Sequence, residues 1–296
     1  MVMKNMAQRL LACILMCAVV TGALAVYASN PPSGDIPADM PGLAEWTERM
    51  PDAVHFQLIT WRTNNALFAA SLDDAAEAAP EEAWSVSSYV LAYDAQYNAI
   101  GSYYPPEDET DTPAMTTNEY DESGNLVRSV SYQDGQPYIE TQTTYDSAGR
   151  IQTHTSWRQE EEIDRVVYDY TPQPDGTLVR RARSDASGRV ETDVINAAGQ
   201  WLSSEWEGGS SSAAYDGQGR PTETVIETKT LSQRTEYTYQ DAPDSSYTCV
   251  AATYQNGALH QRTEQQFDAH GICVSEALYN AEDALLSDMT AIPFTP

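Results

Sequence analysis

One phrase returns along this chain, and it dictates local structure wherever it occurs. It reads Tyr120-Asp121-Glu122-Ser123-Gly124-Asn125-Leu126, then Tyr145-Asp146-Ser147-Ala148-Gly149-Arg150-Ile151. Further copies open at Ser184-Asp185 with Gly188, Ile195-Asn196 with Gly199, Tyr215-Asp216 with Gly219 and Phe267-Asp268 with Gly271. Degenerate copies stand at Tyr93-Asp94, with Tyr97 in the glycine slot, and at Tyr279-Asn280, with Asp283 there. Asp or Asn opens a type I turn because its side chain accepts from the backbone N–H two residues on. The glycine three positions later takes φ > 0 without a Cβ clash and closes the loop. The aromatic before Asp ends one strand, and the aliphatic residue after the turn begins the next. With the shorter versions at Asp134-Gly135 and Asn256-Gly257, turn slots recur about every 12 residues, a β-meander spacing.

The segments between turns favour strands. Ile151, Thr153, Thr155 and Trp157 alternate with Gln152, His154 and Ser156, and Leu259 to Phe267 follows the same scheme. Apolar groups sit at strand ends, with Thr and Gln between. Such strands bury little apolar surface each, so packing of one hairpin on its neighbours must supply stability. The expected fold is all-β: an antiparallel hairpin-repeat meander curling into a solenoid-like or partly closed sheet. A compact two-sheet sandwich is the second expectation.

The Y-D-x-x-G-[RN]-[LIV] phrase, with its intervening Y-x-[DN]-G turns, resembles the YD or RHS repeat family over roughly residues 90 to 285. That resemblance implies a coiled β-sheet shell, as in bacterial secreted and surface proteins and the casings of polymorphic toxins. The repeats are too few for a full cocoon, and no toxin domain is expected after them. No Asp-Pro-x-Gly terminator is present, so the self-cleavage of the large casings is not carried over.

Ahead of the repeats, Lys4 and Arg9 precede an almost wholly apolar run from Leu10 to Val20, then Ala23-Leu24-Ala25 and Val26-Tyr27-Ala28. Basic flank, apolar run and small-residue site in that order read as an export signal over 1–28, cleaved after Ala28 or Ala25. An uncleaved anchor over 10–27 and a lipoprotein box ending at Cys13 are the alternatives. Residues 29–52 carry five prolines and read as a spacer; 53–90 read as an N-terminal cap over the first strand edge; 91–296 form the repeat domain.

The net charge of −28, with Lys229 the only lysine after Lys4, argues against nucleic acid, whose phosphates need Lys and Arg. Membrane contact is expected only if the N-terminal segment stays as an anchor. Cys249 and Cys273 are expected as packed thiols on opposite faces, beyond disulfide reach. His55, His154, His260 and His270 show no metal or catalytic spacing. Two acidic clusters, Glu107 to Asp111 and Glu160 to Asp164, have the oxygen chemistry of Ca²⁺ sites but match no calcium loop, so solvated loop charge is expected. No cofactor or catalytic motif is found. The 18 tyrosines, against four phenylalanines, point first to cross-strand packing and second to a surface for sugars or peptides. The expectation is an exported, monomeric, non-catalytic binding or structural protein of the cell surface, with a carbohydrate or protein partner. A secreted glycan hydrolase using a carboxylate pair, and an accessory or remnant of a toxin shell, are the alternatives.

Overall fold

A computed structural model describes residues 43–64, 84–106, 112–206 and 208–294. A short helix, α1 (Leu43–Glu48), precedes eighteen strands: β1 (His55–Asn64), β2 (Trp84–Tyr93), β3 (Ala99–Tyr104), β4 (Ala114–Tyr120), β5 (Leu126–Gln133), β6 (Gln136–Tyr145), β7 (Ile151–Arg158), β8 (Glu161–Pro172), β9 (Leu178–Ser184), β10 (Val190–Ile195), β11 (Trp201–Trp206), β12 (Gly209–Tyr215), β13 (Pro221–Thr228), β14 (Ser232–Asp241), β15 (Tyr247–Gln255), β16 (Ala258–Phe267), β17 (Cys273–Asn280) and β18 (Leu285–Phe294).

Each strand pairs antiparallel with the next, and β1 also pairs with β18, placing Leu58 opposite Ile292. The meander therefore closes into an 18-stranded barrel. This corrects the expected solenoid-like or partly closed sheet, and the sandwich as well. Closure gives the first and last strands the hydrogen-bond partners that an open meander would leave exposed. Eighteen tilted strands make a ring wide enough for an aqueous interior. In the stretch read as a cap, β1 covers no edge; it joins the ring between β2 and β18. Part of the stretch read as a spacer is α1. The signal segment 1–28 and the acidic cluster 107–111 lie outside the described residues.

Alternation along the strands separates an inner from an outer wall. On β14 Thr235 is buried while Arg234 is exposed; on β9 Arg181 and Arg183 are exposed while Arg180 and Ala182 are half-buried. Away from α1, side chains crowd one another on the concave side of the ring, so the less exposed face is the inner one. Helix α1 lies against the outer wall at β1 to β5, where Trp46 is wholly buried with Met50, Leu58, Val90, Tyr103 and Met115. The Trp46 indole N–H donates to the Thr116 carbonyl at 3.3 Å. Truncating a buried Trp of this kind costs about 3–5 kcal/mol. A second cluster, with Ile59, Cys273, Met289 and Ala291, fills the inner side of the junction where the chain ends meet. At that junction Tyr97 stacks on His55 at 4.4 Å and on His270 at 3.7 Å, so turns from opposite sides of the seam touch.

Candidate functional site

The repeated turns share one geometry. The Asp121 carboxylate accepts from the backbone N–H groups of Ser123 and Asn125 at 2.9 and 2.8 Å, and Gly124 takes φ +80. Asp146 does the same for Ala148 and Arg150 with Gly149 at φ +75, and Asp216 for Gln218 and Arg220 with Gly219 at +83. Asp268 holds His270 and Ile272, with Gly271 at +77. These donors keep three of the carboxyls below their ordinary value: Asn125 acts most on Asp121, the Arg150 side chain on Asp146 and the Arg220 backbone on Asp216. The copy at Ser184 is different. There Gly188 N–H bonds the carbonyl of Ser184, and Asp185 gives its own N–H to Arg165 of β8. Arg189 pairs with Glu191 rather than with Asp185. Because strands alternate direction, this copy falls on the rim opposite to Asp121, Asp146, Asp216 and Asp268.

The motif tyrosines are bound into the wall. Tyr120 donates its hydroxyl to the Ala99 carbonyl, Tyr145 to Leu126, and Tyr215 to Trp201, at 2.9, 2.9 and 2.8 Å. Tyr170 and Tyr239, outside the strong copies, donate to Ile151 and Pro221 in the same way. Each hydroxyl ties one hairpin to the hairpin before it. Phe267 has no hydroxyl and stacks on Tyr247 at 4.5 Å. In two copies the motif Arg covers the next tyrosine: Arg150 lies 4.8 Å from the Tyr170 ring and bonds Asp146, and Arg220 stands likewise to Tyr239 and Asp216. Adjacent turns bring Asp121, Asn125, Tyr145 and Asp146 together around a shallow polar cleft of about 530 Å³.

The inner wall holds what the sequence did not reveal. Glu276 is 4% exposed and accepts from the Gln265 amide at 2.7 Å. Burial pushes its carboxyl up to about 8, against the pull of Gln265. It shares a register row with Cys249, Gln265, Met289 and Trp61. Elsewhere on this wall Arg180 pairs with Asp193, which also accepts from Ser204. His154 contacts Thr143 at 3.0 Å, and burial lowers its pKa while Asp164 opposes the shift. Cys249 and Cys273 are both buried thiols. They share the inner face, because Cys273 pairs with Phe267 and Phe267 with Tyr247, two residues from Cys249. A one-residue bulge between Gln266 and Phe267 breaks the parity on which the opposite-face expectation rested. No local signal marks Glu276: it lies in a plain β alternation, and only the barrel buries it.

Asp164, from the second acidic cluster, is taken up by Ser184 and the backbone of Ala186. Among the described residues no group of three or more His, Cys, Asp or Glu is placed to hold a metal ion. The outer wall carries ion pairs in rows, Arg128 with Glu119 and Glu140, Arg234 with Glu223 and Glu236, and Arg62 with Asp288.

Fold and site thus define a class: a closed antiparallel barrel of hairpin repeats with a charged exterior and a Thr-, Ser- and Tyr-rich interior. No family model and no curated protein matches the chain. Among solved structures it is similar to a porin-like protein from Bacteroides uniformis (10% identity, TM-score 0.32, covering 80% of this chain and 97% of that one). It is also similar to a β-barrel-like protein of a domain of unknown function from Brucella abortus (12%, 0.29, 82% and 96%). A third likeness is to TcdB2-TccC3 without its hypervariable C-terminal region (13%, 0.28, 68% of this chain), of which the chain spans 15% of the length. At TM-scores of this size the likenesses carry nothing about what this chain binds or does.

Proposed function

We propose that the protein is a non-catalytic carbohydrate-binding barrel working at the bacterial cell surface or beyond it, with the inner wall as the binding surface. The segregation of charge supports this most. In a chain of net charge −28, the outer wall carries ion pairs and one rim carries the turn carboxylates. Inside, Arg180 and Asp193 cancel, Glu276 keeps its proton at neutral pH, and Thr, Ser, Gln and Tyr fill most other positions. A neutral, hydroxyl-rich polymer meets little charge there beyond Asp164, which is held by Ser184 and the Ala186 backbone, while acidic rims repel anionic ones. The export-type N-terminus supports the location. The test is a glycan and cell-wall binding screen, with Ca²⁺ and with chelator, on the wild type and on Thr141→Glu, which charges the inner wall. Retention of neutral glycans, weakened in the variant, is expected. Sugar release would instead establish a hydrolase, and silence would favour a protein partner or a scaffold.

A further inference from the structure

We propose that Glu276 and Gln265 together read one acetamido group, so that the inner wall at β15 to β18 selects N-acetylated sugars. The inference rests on the carbohydrate reading and names the sugar class. Cys249, Gln265, Glu276 and Met289 stand in one register row, so all four side chains rise from the same face of adjacent strands. The Gln265 amide donates to one Glu276 oxygen at 2.7 Å and makes no other side-chain hydrogen bond among the described residues. Its carbonyl oxygen is left as an acceptor. Glu276 is 4% exposed, and its second oxygen has no partner among the described residues. Arg49 Nε is the one side-chain polar atom among them that is both fully enclosed and unpartnered, so this oxygen is open to the lumen.

Burial keeps Glu276 protonated at neutral pH. Because one oxygen accepts from Gln265, the proton sits on the other, which is then a donor. A donor and an acceptor side by side match a secondary amide, whose carbonyl accepts and whose N–H donates. Met289, 1% exposed, stands across from Glu276 on β18, and Leu278 follows it on β17, so the methyl of an acetamido group meets apolar surface. Tyr239, Tyr247 and Phe267 run alongside on three adjacent strands, with ring centroids 6.1 and 4.5 Å apart, and offer apolar contact to pyranose C–H groups. A hydroxyl in place of the acetamido group brings no carbonyl to the acid and no methyl to Met289. A site built on such bonds rejects the analogue that lacks them, because its own buried groups then go unpaired.

The probes are soluble chito-oligosaccharides and cello-oligosaccharides, titrated calorimetrically into the full chain. The two series share one backbone linkage and differ in carrying an acetamido group or a hydroxyl at the second ring carbon. The wild type is expected to bind the acetamido series about tenfold tighter or more. Glu276→Met, which keeps the length and removes the donor, should bring the two series level. Glu276→Gln, which still donates an N–H, should keep most of the preference, and Gln265→Met should lower it severalfold. Equal binding of the two series by the wild type, or an unchanged preference in Glu276→Met, would overturn the acetamido site while leaving the carbohydrate reading intact. The first of these comparisons needs no variant, so the test stays open if Glu276→Met misfolds. If neither series binds the wild type, the carbohydrate reading falls and this inference with it.

Discussion

The guanidinium of Arg220 lies 4.3 Å from the ring centroid of Tyr239, and the same tyrosine donates its hydroxyl to the Pro221 carbonyl at 2.9 Å. Arg220 also bonds Asp216, which opens the turn before it. Turn, following strand and next hairpin are thus joined through one ring. Tyr170 repeats the arrangement with Arg150 and Ile151.

Removing these hydroxyls tests the joint. Tyr170→Phe and Tyr239→Phe should each lose about 1 kcal/mol, the net worth of a hydrogen bond to a partly buried carbonyl. The two sit in separate hairpins, so the double variant should show the sum. Denaturant unfolding that gives no loss in either single variant would mean the rings, not the hydroxyls, hold the hairpins.

Glycines in the turns and in the wall should fail for different reasons. Gly149 has φ +75 with open space around it, so Gly149→Ala meets only the left-handed backbone penalty, about 1–2 kcal/mol, and Gly149→Asn less. Gly101 has ordinary φ, but a Cβ there would lie 2.4 Å from Met50 Sδ and 2.9 Å from the Thr116 carbonyl. Gly101→Ala should cost about 1–3 kcal/mol by overpacking. Adding Met50→Ala should relieve the clash with the side chain but not with the strand. Thermal melts of the three glycine variants and the double distinguish the cases.

Glu276 gives the barrel a pH slope of its own. Its folded-state pKa is about 8 against an ordinary 4.5, so between those values the folded protein holds a proton that the unfolded chain has released. The stability it contributes is complete below about 4.5 and is lost as pH rises through about 8. Glu276→Gln should therefore unfold at higher denaturant than wild type at pH 8, with the gap narrowing toward pH 5. An equal gap at both pH values would show that the carboxyl is already ionised in the folded state.

Cys249 should be inert until the barrel opens. Burial raises its thiol to about 11, with Tyr239 pulling the other way. Iodoacetamide at pH 8 should leave Cys249 unmodified in the native protein and alkylate it in guanidinium, as peptide mass spectrometry would show. Native labelling at the unfolded rate would mean that β15 opens locally.

Much of the wall was legible because turn chemistry is local. An Asp and a glycine three residues on specify a hairpin wherever they fall, as Asp121 and Gly124 do. The Ser184 copy shows the limit: the same letters close a different loop, because Asp185 gives its N–H to Arg165 on the neighbouring strand. Cys249 and Cys273 show another. Parity along the sequence places them on opposite faces, and one bulge at Phe267 returns them to the same one.

By itself the sequence determined an antiparallel all-β meander, with Asp-opened turns and aromatic strand ends. Each of these depends on residues a few positions apart. Tertiary structure alone decided that the meander closes, which wall faces inward, and that Glu276 is buried. Closure rests on Leu58 meeting Ile292 from the far end of the chain, and on the accumulated twist and register of every strand between them. No local pattern encodes that sum.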